Sequence, residues 1–313
     1  MDDRAMATLV VAISSGALFD LRDAFKIYKE QGVDAYAAYQ IEKENIPLPP
    51  GPAFHLVRKL LALNNKMDKL SEVILLSRNS ADTGLRVFNS IEHYGLQITR
   101  AAFTNGNQPY KYVHALGAQL FLSAYEQDVR AAIAQGCAAA TMIANSNDVD
   151  SSDDGSGLLR VAFDGDAVLF SDEVEQMHHL QGVSAVHTHE REKSDIPLER
   201  GPFYDFVNAL GAVQQRCHSI ECPVRTALVT ARSAPAHERV IKTLRTWGVR
   251  VDEAFFLGGR SKGELLNAFE ADIFFDDQSS NCDSASAYVA TGHVPFGIGN
   301  YPESPESESS ESS

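Results

Sequence analysis

The sequence predicts an α/β protein of two related halves, each built on a parallel sheet covered by helices. Three observations carry this. The chain repeats itself: Ile46-Pro47-Leu48 with Gly51-Pro52 returns 150 residues later as Ile196-Pro197-Leu198 with Gly201-Pro202. Arg86-Val87, Gly95, Ala101 and Phe103 likewise return 153 residues later as Arg239-Val240, Gly248, Ala254 and Phe256. A series kept in order points to a duplicated unit rather than to coincidence. Short apolar runs alternate with helical stretches, and strand, helix, strand in succession needs crossovers, which make a sheet parallel. The composition, 44% hydrophobic and 22% charged over 313 residues, is that of a globular protein and excludes global disorder, collagen and a disulfide scaffold.

Taken in order, MDDRAMATLVVAI places acids before an apolar run that fits one buried strand, and neither a signal peptide nor a membrane span of about 20 residues. Cys137, Cys217, Cys222 and Cys282 are scattered, without a C-x-x-C pair, so buried free thiols and a cytoplasmic protein are expected. Residues 1–143 form the first half. Residues 144–157 read as a flexible acidic linker; its stretch DVDSSDDGSG lacks the glycine and the twelfth-position glutamate of a calcium loop. Residues 158–300 form the second half, with strands LLRVAF (158–163), RTALVT (225–230), EAFFL (253–257) and ADIFF (271–275). Between them PAHERVIKTLRTWG (235–248) sets Val240, Leu244 and Trp247 at helical spacing and ends on a C-cap glycine, and GELLNAFE (263–270) reads as another helix. Residues from about 173 to 201 form a small cap insertion. It contains His178, His179, His187 and His189, and alternation puts the last two on one strand face, where surface polarity is favoured over a zinc site. Residues 301–313 are Ser/Glu low-complexity sequence, read as a disordered tail.

The formal charge of −15 disfavours nucleic acid and anionic membranes as partners. About half of it lies in eight acids of the linker and tail. The chemistry is sought elsewhere, because ligands of parallel sheets bind beyond the carboxyl ends of the strands. After LLRVAF comes Asp164-Gly165-Asp166-Ala167-Val168, after ALV comes Thr230, after FFLGGRS comes Lys262, and after DIFF comes Asp276-Asp277. Carboxylates from two strand ends suit a hard divalent cation such as Mg²⁺. Thr230 and Lys262 suit a phosphate. One carboxylate can serve as nucleophile, and a second two residues away as general acid. Singly, each element has a plainer reading: an accidental D-x-D, a solvated lysine, a polar turn. Their common position after successive strands, in one order, is the signal. Phe170, Phe203 and Tyr204 are read as core rather than as a base-stacking platform.

That order resembles the haloacid dehalogenase superfamily of phosphohydrolases, a Rossmannoid fold with helices on both faces of the sheet. With VAFDGDAVLFSDE, LVTARSA, LRTWGVRVDEAFFLGG, IFFDDQ and FKIYKEQGVDAYAAYQIEKEN, it is similar to the AMP-preferring cytosolic 5′-nucleotidases of type I. The resemblance implies Asp164 as a nucleophile that forms an aspartyl phosphate and Asp166 as acid and base. It implies Thr230 and Lys262 as phosphate ligands, and Mg²⁺ held by Asp164, the Asp166 carbonyl and the Asp276-Asp277 pair, with the choice within that pair open. Asn281, four residues past Asp277, is read as a turn residue. The implied reaction is hydrolysis of a nucleoside 5′-monophosphate, with a sugar phosphatase or a non-catalytic nucleotide sensor as alternatives; homo-oligomerisation stays open.

Superposing the repeats sets Ser14 opposite Asp164, Gly16 opposite Asp166, Ser77 opposite Thr230, Ser123 opposite Asp276 and Ala124 opposite Asp277. The first half therefore lacks every carboxylate of the site. It is expected to be a degenerate copy, kept for packing, for covering the active site or for nucleotide binding.

Overall fold

The computed structural model describes residues 8–67, 69–143, 157–217 and 221–300. The expected linker, apart from Gly157, and the tail lie outside the described residues. The first half contains β1 (Leu9–Ile13), α1 (Ser15–Leu18), α2 (Arg22–Gln31), α3 (Val33–Glu42), α4 (Phe54–Ala62), β2 (Ser71–Ser77), α5 (Ala81–His93), β3 (Arg100–Phe103), β4 (Leu120–Ser123), α6 (Glu126–Ala134) and β5 (Ala139–Ile143). The second half contains β6 (Leu159–Phe163), α7 (Glu173–Glu192), α8 (Tyr204–Arg216), β7 (Val224–Thr230), α9 (His237–Trp247), β8 (Glu253–Phe256), α10 (Gly263–Ala268), β9 (Ile273–Asp276), α11 (Ser279–Ala285) and β10 (Thr291–His293).

The ten strands of the described residues form one sheet, in the order β3-β2-β1-β4-β5-β10-β9-β6-β7-β8. Each half contributes five parallel strands, and the halves meet where β5 pairs antiparallel with β10 (Thr141 opposite His293). The order reads the same outward from this seam, with β1 to β5 answering β6 to β10. Because the seam is antiparallel, the strands of the two halves run in opposite directions. Their carboxyl ends lie on opposite edges of the sheet, so the strand-end loops of the first half do not cover those of the second.

Central strands such as LVVAI are buried on both faces, which explains their unbroken apolar sequence. The main core is continuous across the seam, from Leu9 and Val11 to Phe163 and Phe275. The Lys59 ammonium also donates to Asp272 Oδ1 at 2.6 Å, tying α4 to the segment before β9. The repeated Ile-Pro-Leu segments play one role in both halves. Phe19 bridges Pro50 and Phe170 bridges Arg200, each next to a glycine pressed against the bridged chain. Gly248, φ 67°, closes α9 as expected.

The cap insertion differs from expectation. The histidine stretch is helical, so His187 and His189 do not share a strand face. The side chain of His187 is outside the described set. Helix α7 breaks at Gly182, φ 79°, matching Gly32, φ 88°, which separates α2 from α3. Gln-Gly-Val occurs at both places.

Candidate active site

β6 delivers Asp164 to the edge of the sheet, where the chain leaves the strand in a single wide turn over residues 165–169. Asp164 Oδ1 accepts from the Gly165 amide at 2.7 Å, and Ala167 takes the left-handed conformation, φ 56°. Gly165 lies close to Thr230: a Cβ there would come within 3.2 Å of Thr230 Oγ1. β9, hydrogen-bonded beside β6, ends on Asp276 and is followed by Asp277.

Carboxylate oxygens of Asp164, Asp276 and Asp277 all lie within 4.8 Å of one another, and all three residues are buried. Lys262, just before α10, enters this cluster, its Nζ 2.6 Å from Asp276 Oδ2 and 3.0 Å from Asp164 Oδ1. Burial alone would lower the pKa of the ammonium; Asp164 and Asp276 outweigh that and raise it. Asp164 is pushed upward by its own burial, and Asp276 and Asp166 add to this against Lys262.

Asp276 is well supported. It accepts from Lys262, from the Gln278 amide at 2.9 Å and from Asn281 Nδ2 at 3.1 and 3.2 Å. Asn281 therefore sits on α11 and orients a site carboxylate, rather than standing in a turn. Asp277 is the opposite case: both of its oxygens are buried and take no hydrogen bond among the described residues. Burial, with Glu175, Asp164 and Asp276 nearby, pushes its carboxyl up to about 10. A buried carboxylate pair of oxygens without donors is costly unless a cation compensates. An all-oxygen donor set converging on one point fits a hard divalent ion, so the cluster is suited to hold a metal.

Asp166 stands beside the cluster. The Arg232 guanidinium grips it from two nitrogens, Nε to Oδ2 at 2.9 Å and Nη2 to Oδ1 at 2.7 Å. Arg232 also reaches the buried Glu190, which Arg239 holds from its other side at 2.7 Å; Arg239 continues to Glu173, where His189 and Lys193 also bind. This ladder of charges roots α7 over the site and gives His189 a carboxylate partner. Thr230 ends β7 and accepts the Arg232 amide at 3.2 Å.

All six residues singled out from sequence thus lie at neighbouring strand ends of the second half. Asp164, Asp276, Asp277 and Lys262 form one cluster, Asp166 is held by Arg232, and Thr230 lies against Gly165. Sequence reasoning missed Arg232, Glu190 and Glu175. Arg232 follows Thr230 by two residues, and Glu190 with Arg239 answers Gln40 with Arg86, which are bonded at 2.9 Å in the first half. Glu175 Oε1 accepts from Gln278 at 3.0 Å while its other oxygen is buried with no hydrogen-bond partner among the described residues, and burial raises its pKa.

The first half keeps the turns and loses the charge. Ser14 Oγ caps α1 by accepting the Ala17 amide, Ser77 Oγ accepts the Asn79 amide at 3.1 Å as Thr230 accepts that of Arg232, and Ser123 Oγ accepts the Tyr125 amide at 3.1 Å as Asp276 accepts that of Gln278.

The family model for 5′-nucleotidases matches residues 1–301. Human cytosolic 5′-nucleotidase 1B is 39% identical over 289 residues, which is 88% of this chain and 47% of that protein. The chain thus spans about half the length of this curated relative. No solved structure matches. With a match that covers residues 1–301 and carries the acidic cluster within it, the chain belongs to the 5′-nucleotidase family.

Proposed function

We propose that this protein is a cytosolic, Mg²⁺-dependent 5′-nucleotidase with a haloacid dehalogenase-like catalytic half, residues 158–300, that hydrolyses nucleoside 5′-monophosphates, AMP foremost. The observation that carries this reading is the buried cluster of Asp164, Asp276 and Asp277 around Lys262. Its family and its relative's name support the nucleotide substrate.

Asp164 Oδ1 is occupied by Gly165 and Lys262, whereas Oδ2 takes no hydrogen bond among the described residues and is the oxygen placed to attack phosphorus. As the Asp164 Oδ2–P bond forms, the P–O5′ bond breaks, and Asp166 gives its proton to the departing nucleoside oxygen. Water then attacks the aspartyl phosphate, Asp166 takes the water's proton, and phosphate leaves with Asp164 restored. A carboxyl donating to O5′ carries a proton and cannot keep both oxygens in the Arg232 fork, so the fork opens and Asp166 is protonated before the first step, and the proton taken from water in the second step restores that form. Lys262 neutralises phosphoryl charge, and Thr230, whose oxygen accepts the Arg232 amide, still has a hydroxyl proton to donate to phosphate. Mg²⁺, held by Asp164, Asp277 and the Asp166 carbonyl, would supply charge neutralisation at the phosphate; Asp276, already bonded to Lys262 and Asn281, orients the cluster. The first half, residues 1–143, is a non-catalytic copy of the same unit.

The test is phosphate release from AMP, other nucleotides and sugar phosphates, with and without chelator, in the wild type and Asp164→Asn. AMP should be preferred, and chelation or the substitution should remove turnover by at least about a thousandfold. Preference for a sugar phosphate overturns the nucleotide reading, and turnover surviving in Asp164→Asn overturns the assigned nucleophile.

A further inference from the structure

The first half lost its carboxylates but kept a cleft. Beyond the carboxyl ends of β2, β3 and β4, a cavity of about 850 Å³ opens between the strand-end loops and the α2–α3 pair. This is the position that the candidate active site occupies in the second half, on the opposite edge of the sheet. Its volume is within the range of small-molecule sites, roughly 300–1,000 Å³.

The lining has changed in kind. Where Gln278 bonds Glu175 in the second half, Tyr125 meets Phe25 edge to face in the first, with ring centroids 6.0 Å apart. Tyr28 stacks on Phe25 at 6.0 Å, and Tyr36 stands at 6.2 Å from Tyr28, so four rings line one wall in succession. The charged side chains cancel. Asp34 and Glu126 balance Arg78 and Arg130 in the lining, Arg78 is gripped by Asp128 and Arg130 pairs with Glu126, so the cleft carries no net positive charge for a phosphate. Asn79 takes the place of Arg232. Its Oδ1 accepts the Tyr36 hydroxyl at 2.9 Å, while its Nδ2 is buried with no acceptor among the described residues. Buried donors of this kind are rare in native structures and call for an explanation.

We propose that this cleft is a second, non-catalytic small-molecule site that takes an uncharged heteroaromatic ligand, such as a nucleoside. The rings offer π-faces for stacking, and the Asn79 amide donates to a ring nitrogen or carbonyl. With Ser14, Ser123 and Ala124 at the strand ends, the cleft has no nucleophile or metal-binding carboxylates corresponding to those of the second half. The proposal stands independently of the reaction assigned to that half.

Isothermal titration calorimetry of the full chain with adenosine, uridine and free adenine tests it. At least one should bind, and Asn79→Leu and Tyr125→Leu should weaken binding at least tenfold. Tyr28 is 47% exposed, so Tyr28→Ala leaves folding intact; it should weaken binding at least threefold while AMP turnover stays within about twofold of wild type. No binding of any of the three at millimolar concentration overturns the proposal. So does binding that is unchanged in Asn79→Leu and Tyr28→Ala, since the ligand then sits elsewhere, the active site included.

Discussion

Asp166 and Arg232 are 66 residues apart in sequence and joined by two hydrogen bonds in the fold. That separation explains what could be read beforehand. Asp164, Asp166, Thr230, Lys262, Asp276 and Asp277 were legible because each follows its own apolar strand, a local pattern. The partners that orient them were not, since an arginine in T-A-R or a glutamate in an exposed-looking H-E-R-E run carries no local mark of burial. The ladder should show itself energetically. Arg232 contacts Asp166 and Glu190 while nearly fully buried, so Arg232→Met leaves Asp166 without its fork and Glu190 with Arg239 alone. Breaking one partner from a buried ionic network costs about 3–5 kcal/mol. Urea unfolding should show a loss near the lower end of that range, because Arg239 remains, together with a fall in kcat. A loss under about 1 kcal/mol would show that the ladder contributes little. Ser14 provides the contrast. It only caps α1 and receives the Ala124 amide at 3.3 Å, so Ser14→Ala should cost about 1 kcal/mol of stability and leave kcat within about twofold; a loss of turnover comparable to that of Asp164→Asn would refute the non-catalytic role of the first half.

At the scale of elements, the repeated Ile-Pro-Leu and Gly-Pro segments were visible in sequence without their purpose. The structure shows a strap that returns across the turn after the first strand of each half. A Cβ on Gly51 would meet the Phe19 nitrogen at 2.7 Å, and one on Gly201 would meet the Phe170 carbonyl oxygen at 2.2 Å. Both obstacles are backbone and cannot swing aside, so either alanine substitution should cost about 1–3 kcal/mol or more. The functional effects should separate. The Gly201 strap presses on Val168 and Phe170, in the turn that carries Asp166, so Gly201→Ala should lower kcat at least tenfold in protein that is still folded. Gly51→Ala should leave kcat within about twofold. Equal effects on turnover would mean that the straps act only through global stability. Within the cap region only the histidine stretch reads differently in the fold, for a related reason: His187 and His189 alternate like a strand, while α7 has no strong apolar face and is interrupted at Gly182. The Gln-Gly-Val shared with the α2–α3 junction was the available clue.

For the whole molecule, the seam between β5 and β10 had no signature in sequence, because antiparallel pairing of two parallel halves depends on edges that are each ordinary buried strands. The seam sets the strand ends of the two halves on opposite edges, and on the acidic edge Asp277 is the carboxyl raised furthest among those shifted there. Its carboxyl titrates near 3.8 ordinarily and about 10 in the metal-free fold. Between those values the folded state holds a proton that the unfolded chain has lost, so stability falls as pH rises through that window. Binding a cation requires the ionised form, so the cation displaces that proton and its apparent affinity rises with pH. In chelator, the melting temperature should therefore drop as pH is raised from 5 to 9. Added Mg²⁺ should restore it by an amount that grows with pH. Titration of Mg²⁺ in buffers of different ionisation enthalpy should register release of close to one proton per ion at pH 7.5. Asp277→Asn cannot ionise, so it should flatten the chelator curve above about pH 7, where Asp164, raised to about 7 by burial, is already ionised, and should remove most of the proton release. Mg²⁺ binding without proton release in the wild type would remove Asp277 from the metal site and leave its two donorless oxygens without a cation.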